Sequence, residues 1–459
     1  MHSSFLAWTL YKDTFDFPPH GAIRLRIIIV GAGIAGLSAA LGLHKAGHHV
    51  TILERVHKIA EVGAGIQIAP NAARILGRFG ILPEVVNKAN VLEKNSLRRY
   101  VNDEELGTAP LMPKVGQEYN APLCVIHRGD LQSILLNAVQ KEKIDIKLNS
   151  RVVSADSEFS GKVQLTTGEE FAADVVIAAD GIKSDLRRLI ASSHGHIDHA
   201  QPTGDAAYRI LIPRKDLEND SDALELLESN VGMRWMGPGG HIMAYPIKNN
   251  ALYNMVLLHP KPLGKSDEES WTQQGSKKEM QNFYEQWSPL VRKLLSYVPE
   301  GEVKEWTLNS HAFLPSWVEN RTVLMGDSCH PMLPYVAQGA AQAIEDAGVL
   351  ACVLSLGGED VDIPTRLKVY EIIRKERAEK IQSSAAETRL ALHLPDGEKQ
   401  RQRDKAIRSG GKNPDLWADK SWQQFMWGTD VMKQTVDGWN DLVQQASEAS
   451  LSTVRPSVF

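Results

Sequence analysis

The stretch RLRIIIVGAGIAGLSAALGLHKAGHHVTILER, residues 24–55, decides the fold that the sequence predicts. Its aliphatic run Ile27–Val30 is typical of a buried strand, and three glycines follow that run in G-x-G-x-x-G spacing. An apolar helical pattern comes next, and a second strand, HHVTILE, ends at Glu54. This order of strand, glycine turn, helix, strand and acid is the fingerprint of a domain that binds a dinucleotide.

Each element of the fingerprint has a physical role. Gly31 allows a tight turn, Gly33 lets the backbone approach a pyrophosphate, and Gly36 lets helix and strand pack closely. The helix N-terminus offers free N–H groups to the phosphates, and Glu54 suits a ribose 2′-hydroxyl rather than a 2′-phosphate. A glycine-rich structural turn is the alternative, because the glycine spacing alone is weak evidence.

Composition excludes several classes of protein. The chain has 459 residues, enough for two or three domains, and its 43% hydrophobic and 23% charged residues are ordinary for a globular protein. Its net charge of −5 argues against a nucleic-acid partner. Cys124, Cys329 and Cys352 are far apart, which argues against a disulfide framework, a metal site and a dithiol pair. We expect a cytoplasmic protein without a transmembrane segment, because no apolar run reaches the roughly 18 residues of a membrane span.

The pattern changes along the chain. Around residue 200, segments such as AAYRILIP and HIMAYPI alternate apolar and polar residues, as half-buried antiparallel strands do. The sequence therefore predicts an α/β fold: a Rossmann-like nucleotide-binding domain with an inserted, mainly antiparallel β-sheet domain for the substrate and a C-terminal helical segment. The predicted divisions are an N-terminal extension (1–23), a first segment of the nucleotide-binding domain (24–94), an excursion to the substrate domain (95–122), a second nucleotide-binding segment (123–200), the β-sheet substrate domain (201–315), a third nucleotide-binding segment with a long helix (316–395), and a linker with a helical tail (396–459).

Two of these stretches are predicted to lack a packed structure. Residues 1–23 read as a poorly ordered extension, because FLAWTL is short and charge follows it. Residues 396–420 are charged and contain glycine, which indicates an exposed linker or loop. The remaining tail carries enough tryptophan and other apolar residues to pack against the body of the protein.

A second group of residues points to the same ligand. Asp327, in MGDSCHP, follows a buried strand, where a carboxylate can accept hydrogen bonds from sugar or ribityl hydroxyls. A helix begins near Gln338, Gly339 and Ala340, and its N-terminus would stabilise the anion of a reduced flavin by roughly 0.5 to 2 kcal/mol. Asp327 as a turn residue and Gly339 as an ordinary helix start are the alternatives.

At this point the sequence resembles the class A flavoprotein aromatic hydroxylases, the para-hydroxybenzoate hydroxylase-like FAD monooxygenases. The match covers about residues 24–395 and rests on GAGIAG at 31–36 with Glu54, VVIAADGIKSDLRR at 175–188 and TVLMGDSCHPMLPYVAQGAAQAIEDA at 322–347. The resemblance implies bound FAD and no metal. The FAD-binding residues that it implies are Gly31, Gly33, Ala35, Gly36, Glu54, Arg55, Gly65, Ile66, Arg128, Asp180, Gly181, Gly326, Asp327, Pro334, Gly339 and Ala340.

The resemblance is closer to the salicylate hydroxylase and 3-hydroxybenzoate 6-hydroxylase-like branch. GAGIQIAPNA, PYVAQGAAQAIEDA and HLPDG at 393–397 carry this likeness. One departure from the family pattern is Ser328–Cys329, where many relatives have two alanines. The change is small and does not weaken the resemblance. The chain has a single dinucleotide fingerprint, so we expect NAD(P)H to dock transiently rather than to occupy a Rossmann domain of its own. The choice between NADH and NADPH is open.

The candidate catalytic residues are His241, Tyr245, Gln338 and Arg209. In a strand, His241 and Tyr245 share one face, and a histidine could serve as the base that ionises a phenol. The resemblance implies that His241, Tyr245 and Gln338 match substrate-site residues of the 3-hydroxybenzoate 6-hydroxylase-like branch, and Arg209 could pair with a substrate carboxylate or steer an anionic ring. A core histidine, an edge tyrosine and a structural arginine at the domain seam are the alternatives.

The expected function is that of an FAD-dependent monooxygenase that hydroxylates a phenolic substrate, with a salicylate-like hydroxybenzoate as the first candidate. The resemblance implies that a flavin C4a-hydroperoxide transfers the oxygen and that NAD(P)H and O2 are co-substrates. A hydroxylase of a polyketide or alkaloid ring, a flavin oxidase without hydroxylation and a non-enzymatic FAD-binding protein are the rivals. The sequence leaves oxidative decarboxylation and homo-oligomer formation open.

Overall fold

The computed structural model describes residues 13–17, 23–59, 63–261 and 272–453. The strands are β1 (Arg26–Val30), β2 (His49–Leu53), β3 (Gly65–Ile68), β4 (Lys94–Arg99), β5 (Glu105–Pro110), β6 (Cys124–His127), β7 (Asp145–Lys147), β8 (Val152–Ala155), β9 (Lys162–Leu165), β10 (Glu170–Ala172), β11 (Val175–Ala178), β12 (Gln201–Pro213), β13 (Val231–Gly237), β14 (Gly240–Ile247), β15 (Leu252–Pro260), β16 (Thr272–Gln274), β17 (Lys304–Ser310), β18 (Val318–Glu319) and β19 (Thr322–Leu324).

The helices lie on both sides of these strands and at the C-terminal end of the chain. They are α1 (Ile34–Lys45), α2 (Pro70–Arg78), α3 (Leu82–Lys88), α4 (Lys114–Tyr119), α5 (Arg128–Lys141), α6 (Asp185–Ser193), α7 (Ser221–Glu228), α8 (Lys277–Phe283), α9 (Pro289–Ser296), α10 (Gly339–Val353), α11 (Ile363–Leu392), α12 (Glu398–Ser409), α13 (Lys420–Trp427), α14 (Val431–Asp437) and α15 (Trp439–Thr453). Within the described residues, no helix is both long and apolar enough to cross a membrane.

The dinucleotide fingerprint forms the centre of a six-stranded sheet with the order β18-β19-β11-β1-β2-β7. β1 pairs in parallel with both β2 and β11, and its residues Ile27–Val30 are buried. Central parallel strands are covered on both faces by packed helices, which explains the uninterrupted apolar run. Gly31 has φ +103°, and a Cβ at this position would lie 2.6 Å from the carbonyl oxygen of Ala179. A Cβ at Gly36 would lie 2.0 Å from the carbonyl oxygen of Gly31. Only glycine fits at these two positions, as the fingerprint predicts.

The second large sheet has eight strands in the order β16-β17-β12-β15-β14-β13-β4-β5. Its pairs are antiparallel except for β13 and β4, which run parallel and bring residues 94–99 beside residues 231–236. Tyr208, Ile210 and Ile212 of β12 point to one face, in an apolar cluster that includes residues of α7 and α9. Arg209, which alternates with them, points to the opposite face of the sheet. That face lies toward the glycine turn and the start of α10.

The prediction for residues 1–23 is wrong for the residues of this stretch that the structure describes. Asp13 pairs with Arg78 at 2.7 Å, and the Arg78 guanidinium lies 4.0 Å from the centre of the Phe15 ring. Phe17 contacts Phe79 with 5.5 Å between ring centres. These contacts hold residues 13–17 on α2, because the segment supplies one carboxylate and two aromatic rings. FLAWTL and residues 18–22 lie outside the described residues.

The prediction of a loop at residues 396–420 is also wrong, because α12 occupies Glu398–Ser409. Asp404 accepts hydrogen bonds from Arg403 at 2.8 Å and from Arg99 of β4 at 3.1 Å, and Ile407 is buried against Gly107. Arg403, Asp404, Asp415 and Asp419 of this stretch are buried with partners, whereas its other charged residues are exposed. Farther along the C-terminal helical segment, Trp427 and Met432 are fully buried.

Candidate active site

A cleft runs from the glycine turn after β1 to the inner face of the eight-stranded sheet. Elements distant in sequence line it, including the turn before α1, β3, the start of α5, β14, and the loop that leads into α10. The lining residues are Gly33, Ile34, Ala35, Gly65, Ile66, Gln67, Arg128, Ala179, Gly181, Arg209, Arg234, His241, Met243, Tyr245, Val256, Leu258, Asp327, Met332, Leu333, Pro334, Ala337, Gln338, Gly339, Ala340, Ala343 and Trp417.

At one end of the cleft, the fingerprint offers an open backbone surface. A Cβ added at Gly33 would meet nothing within 4 Å, in contrast to Gly31 and Gly36. α1 begins at the next residue, so its first N–H groups point into this space. Glu54 Oε2 accepts a hydrogen bond of 2.6 Å from the Ala32 N–H, which holds the carboxylate at the tip of β2 beside the glycine turn. This arrangement fits the pyrophosphate and ribose of a dinucleotide.

The Asp180–Gly181 motif and the Gly326–Asp327 motif, both predicted to bind the cofactor, are linked through Ser328. Its hydroxyl donates to Asp180 Oδ1 at 3.1 Å and accepts from the Gly181 N–H at 2.9 Å. An alanine at position 328 could make neither bond, so this departure from the family pattern links the DG and GDS motifs in this chain. The only sign of this link in the sequence is the serine itself, because its partners lie almost 150 residues away along the chain.

Asp327 faces the cleft from the short helical turn Gly326–Ser328. Gly326 has φ +60° and donates its N–H to Asp346 at 2.8 Å, which fixes the turn from behind. Among the described residues, no hydrogen bond to the Asp327 carboxylate is found. The surrounding protein raises the pKa of this carboxyl through desolvation, although its side chain is open to the cleft. Such a carboxylate fits hydroxyl groups of a bound ligand.

The predicted cofactor residues divide into three groups. Those that line the cleft are Gly33, Ala35, Gly65, Ile66, Arg128, Gly181, Asp327, Pro334, Gly339 and Ala340. Gly31, Gly36, Gly326, Asp180 and Glu54 lie behind that surface, where they shape its turns or hold its backbone. Arg55 is exposed beyond the end of β2 and is not among the lining residues.

At the other end of the cleft, β14 presents His241, Met243 and Tyr245, while Ile242 and Ala244 point into the apolar cluster on the far side of the sheet. This is the shared face that the strand pattern predicts. The pKa of His241 lies well below its ordinary value, because the side chain is buried and because His393 and Arg234 oppose a positive charge on it. His241 is therefore neutral at neutral pH and a weaker base than the sequence alone suggested. Burial raises the pKa of Tyr245, so its hydroxyl keeps its proton.

Arg209 enters the cleft from β12. Its Nε atom has no hydrogen-bond partner among the described residues, and its guanidinium lies 5.2 Å from the centre of the Trp306 ring. Burial lowers the pKa of this guanidinium, and the positive charge of Arg128 acts in the same direction. A cation in this position is stabilised by an anion in the cleft.

Sequence reasoning missed Arg234 and Trp417, which line the same end of the cleft as His241. Arg234 is buried, donates to Asp415, and lies 5.2 Å from the centre of the Trp417 ring. The signal was an arginine inside the apolar strand GMRWM, since a buried arginine requires a partner. Asp415 and Trp417 come from the short turn Leu416–Ala418 and its preceding residue, in the segment predicted to be a loop.

Gln338 joins the cleft to a buried network of charges. Its Oε1 accepts from Asn71 Nδ2 and from Gln342 Nε2, both at 3.0 Å, and its Nε2 has no partner among the described residues. Asn71 also donates to Glu345 at 2.6 Å, and Glu345 pairs with Arg374 and Arg377. The network fixes the Gln338 amide at the start of α10 and leaves its N–H groups available to a ligand.

With this geometry established, comparisons identify similar proteins. A family model described as FAD binding domain matches residues 24–385. FAD-dependent monooxygenase atnJ of Arthrinium sp is 38% identical over 413 residues, which cover 89% of this chain and 94% of the relative. 3-Hydroxybenzoate 6-hydroxylase 1 of Aquipseudomonas alcaligenes is 33% identical over 362 residues, 78% of this chain and 86% of the relative. The solved structure of a salicylate hydroxylase substrate complex is 25% identical, with a TM-score of 0.74, over 95% of this chain and 99% of that one.

Proposed function

This chain belongs to the FAD binding domain family of flavin-dependent monooxygenases, and we propose that its substrate is a phenolic aromatic acid of the salicylate or hydroxybenzoate type. FAD is the cofactor, and NAD(P)H and O2 are the co-substrates of this family. When bound, the FAD supplies the oxygen transfer. The chain's own residues then have to bind the aromatic acid, orient its ring and remove the phenolic proton.

The single observation that carries the proposal is the Arg209 guanidinium, whose Nε is unpaired within the described residues and which shares one cleft with His241 and Tyr245. A guanidinium matches a carboxylate in charge and in geometry, and a bound carboxylate would give this partly buried cation a partner of opposite charge. Arg128 and Arg234 add further positive charges to the cleft, although Asp415 partly balances that of Arg234. We infer that the substrate enters as an anion.

The groups that would handle the phenol lie in the same end of the cleft. The contact of His241 Nδ1 with His393 leaves His241 Nε2 for the phenolic proton, and Tyr245 and Gln338 can donate hydrogen bonds to the substrate. Met243, Val256 and Leu258 add an apolar wall that suits an aromatic ring. An ionised phenol is more electron-rich than the neutral one, so removal of the proton favours attack by the ring on an electrophilic oxygen.

A panel of ring compounds tests the proposal. Purified enzyme with FAD is mixed with NADH or NADPH and with salicylate, 3-hydroxybenzoate, their methyl esters or benzoate. We expect the two acids with a phenol to stimulate NAD(P)H oxidation and to give a product heavier by one oxygen, whereas the esters lack the charge for Arg209 and benzoate lacks the phenol. Stimulation by the esters equal to that by the acids would contradict the role of a carboxylate.

The panel should also contain polycyclic phenols. The relative atnJ is named only as an FAD-dependent monooxygenase and is more identical to this chain than the hydroxybenzoate hydroxylase is. A hydroxylase of a larger ring, such as a polyketide or alkaloid, is therefore the second candidate. Turnover of a polycyclic phenol in the absence of turnover of any simple acid would favour it, and hydrogen peroxide without a hydroxylated product would indicate an oxidase.

We expect Asp327→Ala to weaken FAD binding. The carboxylate is placed to accept hydrogen bonds from ribityl hydroxyls, and charged hydrogen bonds contribute about 1.5–3 kcal/mol, or about 10- to 150-fold in the FAD dissociation constant. Quenching of flavin fluorescence during titration of the apoprotein measures this constant. Asp437→Ala, which removes an exposed carboxylate paired with Lys433, is the control. Unchanged FAD affinity in Asp327→Ala would leave Asp327 as a turn residue.

A further inference from the structure

We propose that Arg234 and Trp417 form a second anchoring site in the cleft, for an uncharged oxygen acceptor on the side of the substrate ring away from the carboxylate. The proposal rests on the proposed function, since it starts from a carboxylate bound at Arg209, and it narrows the substrate class. The substrate is then a phenolic acid that also carries a carbonyl or hydroxyl substituent, rather than salicylate itself.

Four side chains form a row across the eight-stranded sheet. Arg209 of β12 lies opposite Val256 of β15. Val256 lies opposite Met243 of β14, and Met243 lies opposite Arg234 of β13. Directly opposite residues on neighbouring strands place their side chains on one face of a sheet, and all four residues line the cleft. The row therefore has an arginine at each end and two apolar residues between them.

The row suits an aromatic ring with a polar group at either end. Neighbouring strands are about 4.8 Å apart, so the Cα atoms of Arg209 and Arg234 are separated by three spacings, on the order of 14 Å. His241 and Tyr245 lie on β14 to either side of Met243 and line the same cleft. A ring over the apolar middle of the row therefore has the residues for its phenol beside it and one arginine at each end.

The two arginines differ in how their charges are balanced. Arg234 is only 3% exposed and pairs with Asp415, which is also buried, so its positive charge already has a counterion. In the part of the chain that the structure describes, no carboxylate forms an ion pair with Arg209. An anion is therefore favoured at Arg209. A neutral acceptor is favoured at Arg234, because a second carboxylate would add an unbalanced negative charge beside Asp415.

Arg234 and Trp417 each have a donor that needs an acceptor. Arg234 Nε and the indole Nε1 of Trp417 are buried, and neither has a hydrogen-bond partner among the described residues. Trp417 is 1% exposed, and its ring centre lies 5.2 Å from the Arg234 guanidinium carbon. Buried N–H groups are nearly always hydrogen-bonded, because an unpaired one has lost its bonds to water. Since both residues line the cleft, an oxygen acceptor on the ligand completes them.

The second anchoring site is held in place from behind. Asp415 accepts hydrogen bonds from Arg234 and, at 3.2 Å, from the Trp417 backbone N–H, so it ties the two residues together. Gln423 of α13 donates to the Trp417 carbonyl oxygen at 3.1 Å, and the Trp427 ring packs edge-on against Trp417 with 5.8 Å between ring centres. Donors fixed in this way bind an acceptor with little further loss of side-chain freedom.

A matched pair of ligands tests the second anchoring site. 4-Acetyl-2-hydroxybenzoate has a carbonyl opposite its carboxylate, and 4-isopropenyl-2-hydroxybenzoate has a CH2 group of similar shape in place of that oxygen. The change in flavin absorbance gives the dissociation constant of each for the oxidised, FAD-loaded enzyme. Binding is compared because the acetyl group also alters the reactivity of the ring. We expect the acetyl compound to bind the wild-type protein about 50-fold more tightly, since its partner leaves two buried donors unpaired.

Two conservative variants should reduce this preference. Trp417→Phe keeps the aromatic packing but has no indole N–H, and it should lower the preference by about fivefold. Arg234→Lys keeps a positive charge beside Asp415 but has no Nε, and it should lower the preference by about 10-fold. Trp427→Phe is the matched control, because it removes a buried, unpaired indole N–H that does not line the cleft, and it should leave the preference unchanged.

A further measurement separates anchoring from damage to the cleft. Salicylate and the isopropenyl compound have no acceptor for the second anchoring site, so Trp417→Phe and Arg234→Lys should bind both within about threefold of the wild-type protein. An equal loss of affinity for every ligand in these variants would show a structural role only and would overturn the proposal.

The wild-type protein alone distinguishes this proposal from the proposed function. If salicylate and both probes bind, but the acetyl and isopropenyl compounds differ by less than threefold, water satisfies the two donors. The second anchoring site is then overturned and the proposed function stands. If salicylate, 3-hydroxybenzoate and both probes all fail to bind, the proposed function fails and the second anchoring site fails with it.

Discussion

Replacement of His241 by alanine is expected to slow hydroxylation of the phenolic substrate by about 10²–10⁴-fold, the usual contribution of a general base. The His241 ring lines the cleft, so under the proposed function its loss removes the acceptor of the phenolic proton. FAD binding should survive, because β14 lies outside the six-stranded sheet and its glycine turn. More of the NAD(P)H consumed should appear as hydrogen peroxide, since a neutral phenol is a poor acceptor of oxygen.

Three observations would identify the chemical origin of this loss. Raising the pH should partly rescue His241→Ala, because water then supplies the phenolate. Tyr245→Phe should show a milder loss, through poorer orientation of the ring. His259→Ala, which changes a buried histidine that stacks on Tyr208 away from the cleft, should keep the parent rate of hydroxylation. Stopped-flow measurement of hydroxylation across pH decides the question. A His241→Ala enzyme with the parent rate and pH profile would return His241 to the role of a core histidine.

Arg374→Met is expected to destabilise the protein by about 3–5 kcal/mol, the usual cost of removing one partner from a buried ion pair. Arg374 is fully buried and bonds to Asp346 at 2.8 Å and to Glu345, so its loss leaves two buried carboxylates with fewer partners. Urea unfolding of the holoprotein measures the change. Lys375→Met is the matched control on the same helix, because the Lys375–Glu379 pair is partly exposed and such pairs contribute about 0.3–0.5 kcal/mol.

The pH dependence of stability should change in the same variant. Burial alone would raise the pKa of Asp346, but His330 and Arg374 outweigh burial and lower the pKa to about 2. Since the folded-state pKa lies below the ordinary value of 3.8, Asp346 contributes stability above that value, on the order of 2 kcal/mol, and the contribution is lost as the pH falls toward 2. Arg374→Met should raise the pKa of Asp346 and flatten this acid limb. A parallel acid limb in wild type and variant would contradict the assignment.

Much of the cofactor side could be predicted from sequence, because its constraints are local. The spacing of Gly31, Gly33 and Gly36 follows from what each backbone position must do, and the structure shows two positions that exclude a Cβ and one that is open. The period-two pattern likewise placed His241 and Tyr245 on one face of β14. A local pattern also misled: the charges of residues 396–420 suggested a loop, although the stretch contains a helix that is anchored through buried Arg403 and Asp404.

The sequence by itself determined the strand of the glycine fingerprint, the glycine turn and the shared face of His241 and Tyr245, because these depend on neighbouring positions along the chain. Only the tertiary structure decided which distant residues meet. His241 and His393 are 152 positions apart, Arg234 and Asp415 are 181 apart, and neither pair leaves a periodic trace in the sequence. Burial is also a property of the whole fold, and it turns His241 from an ordinary histidine into one that stays neutral.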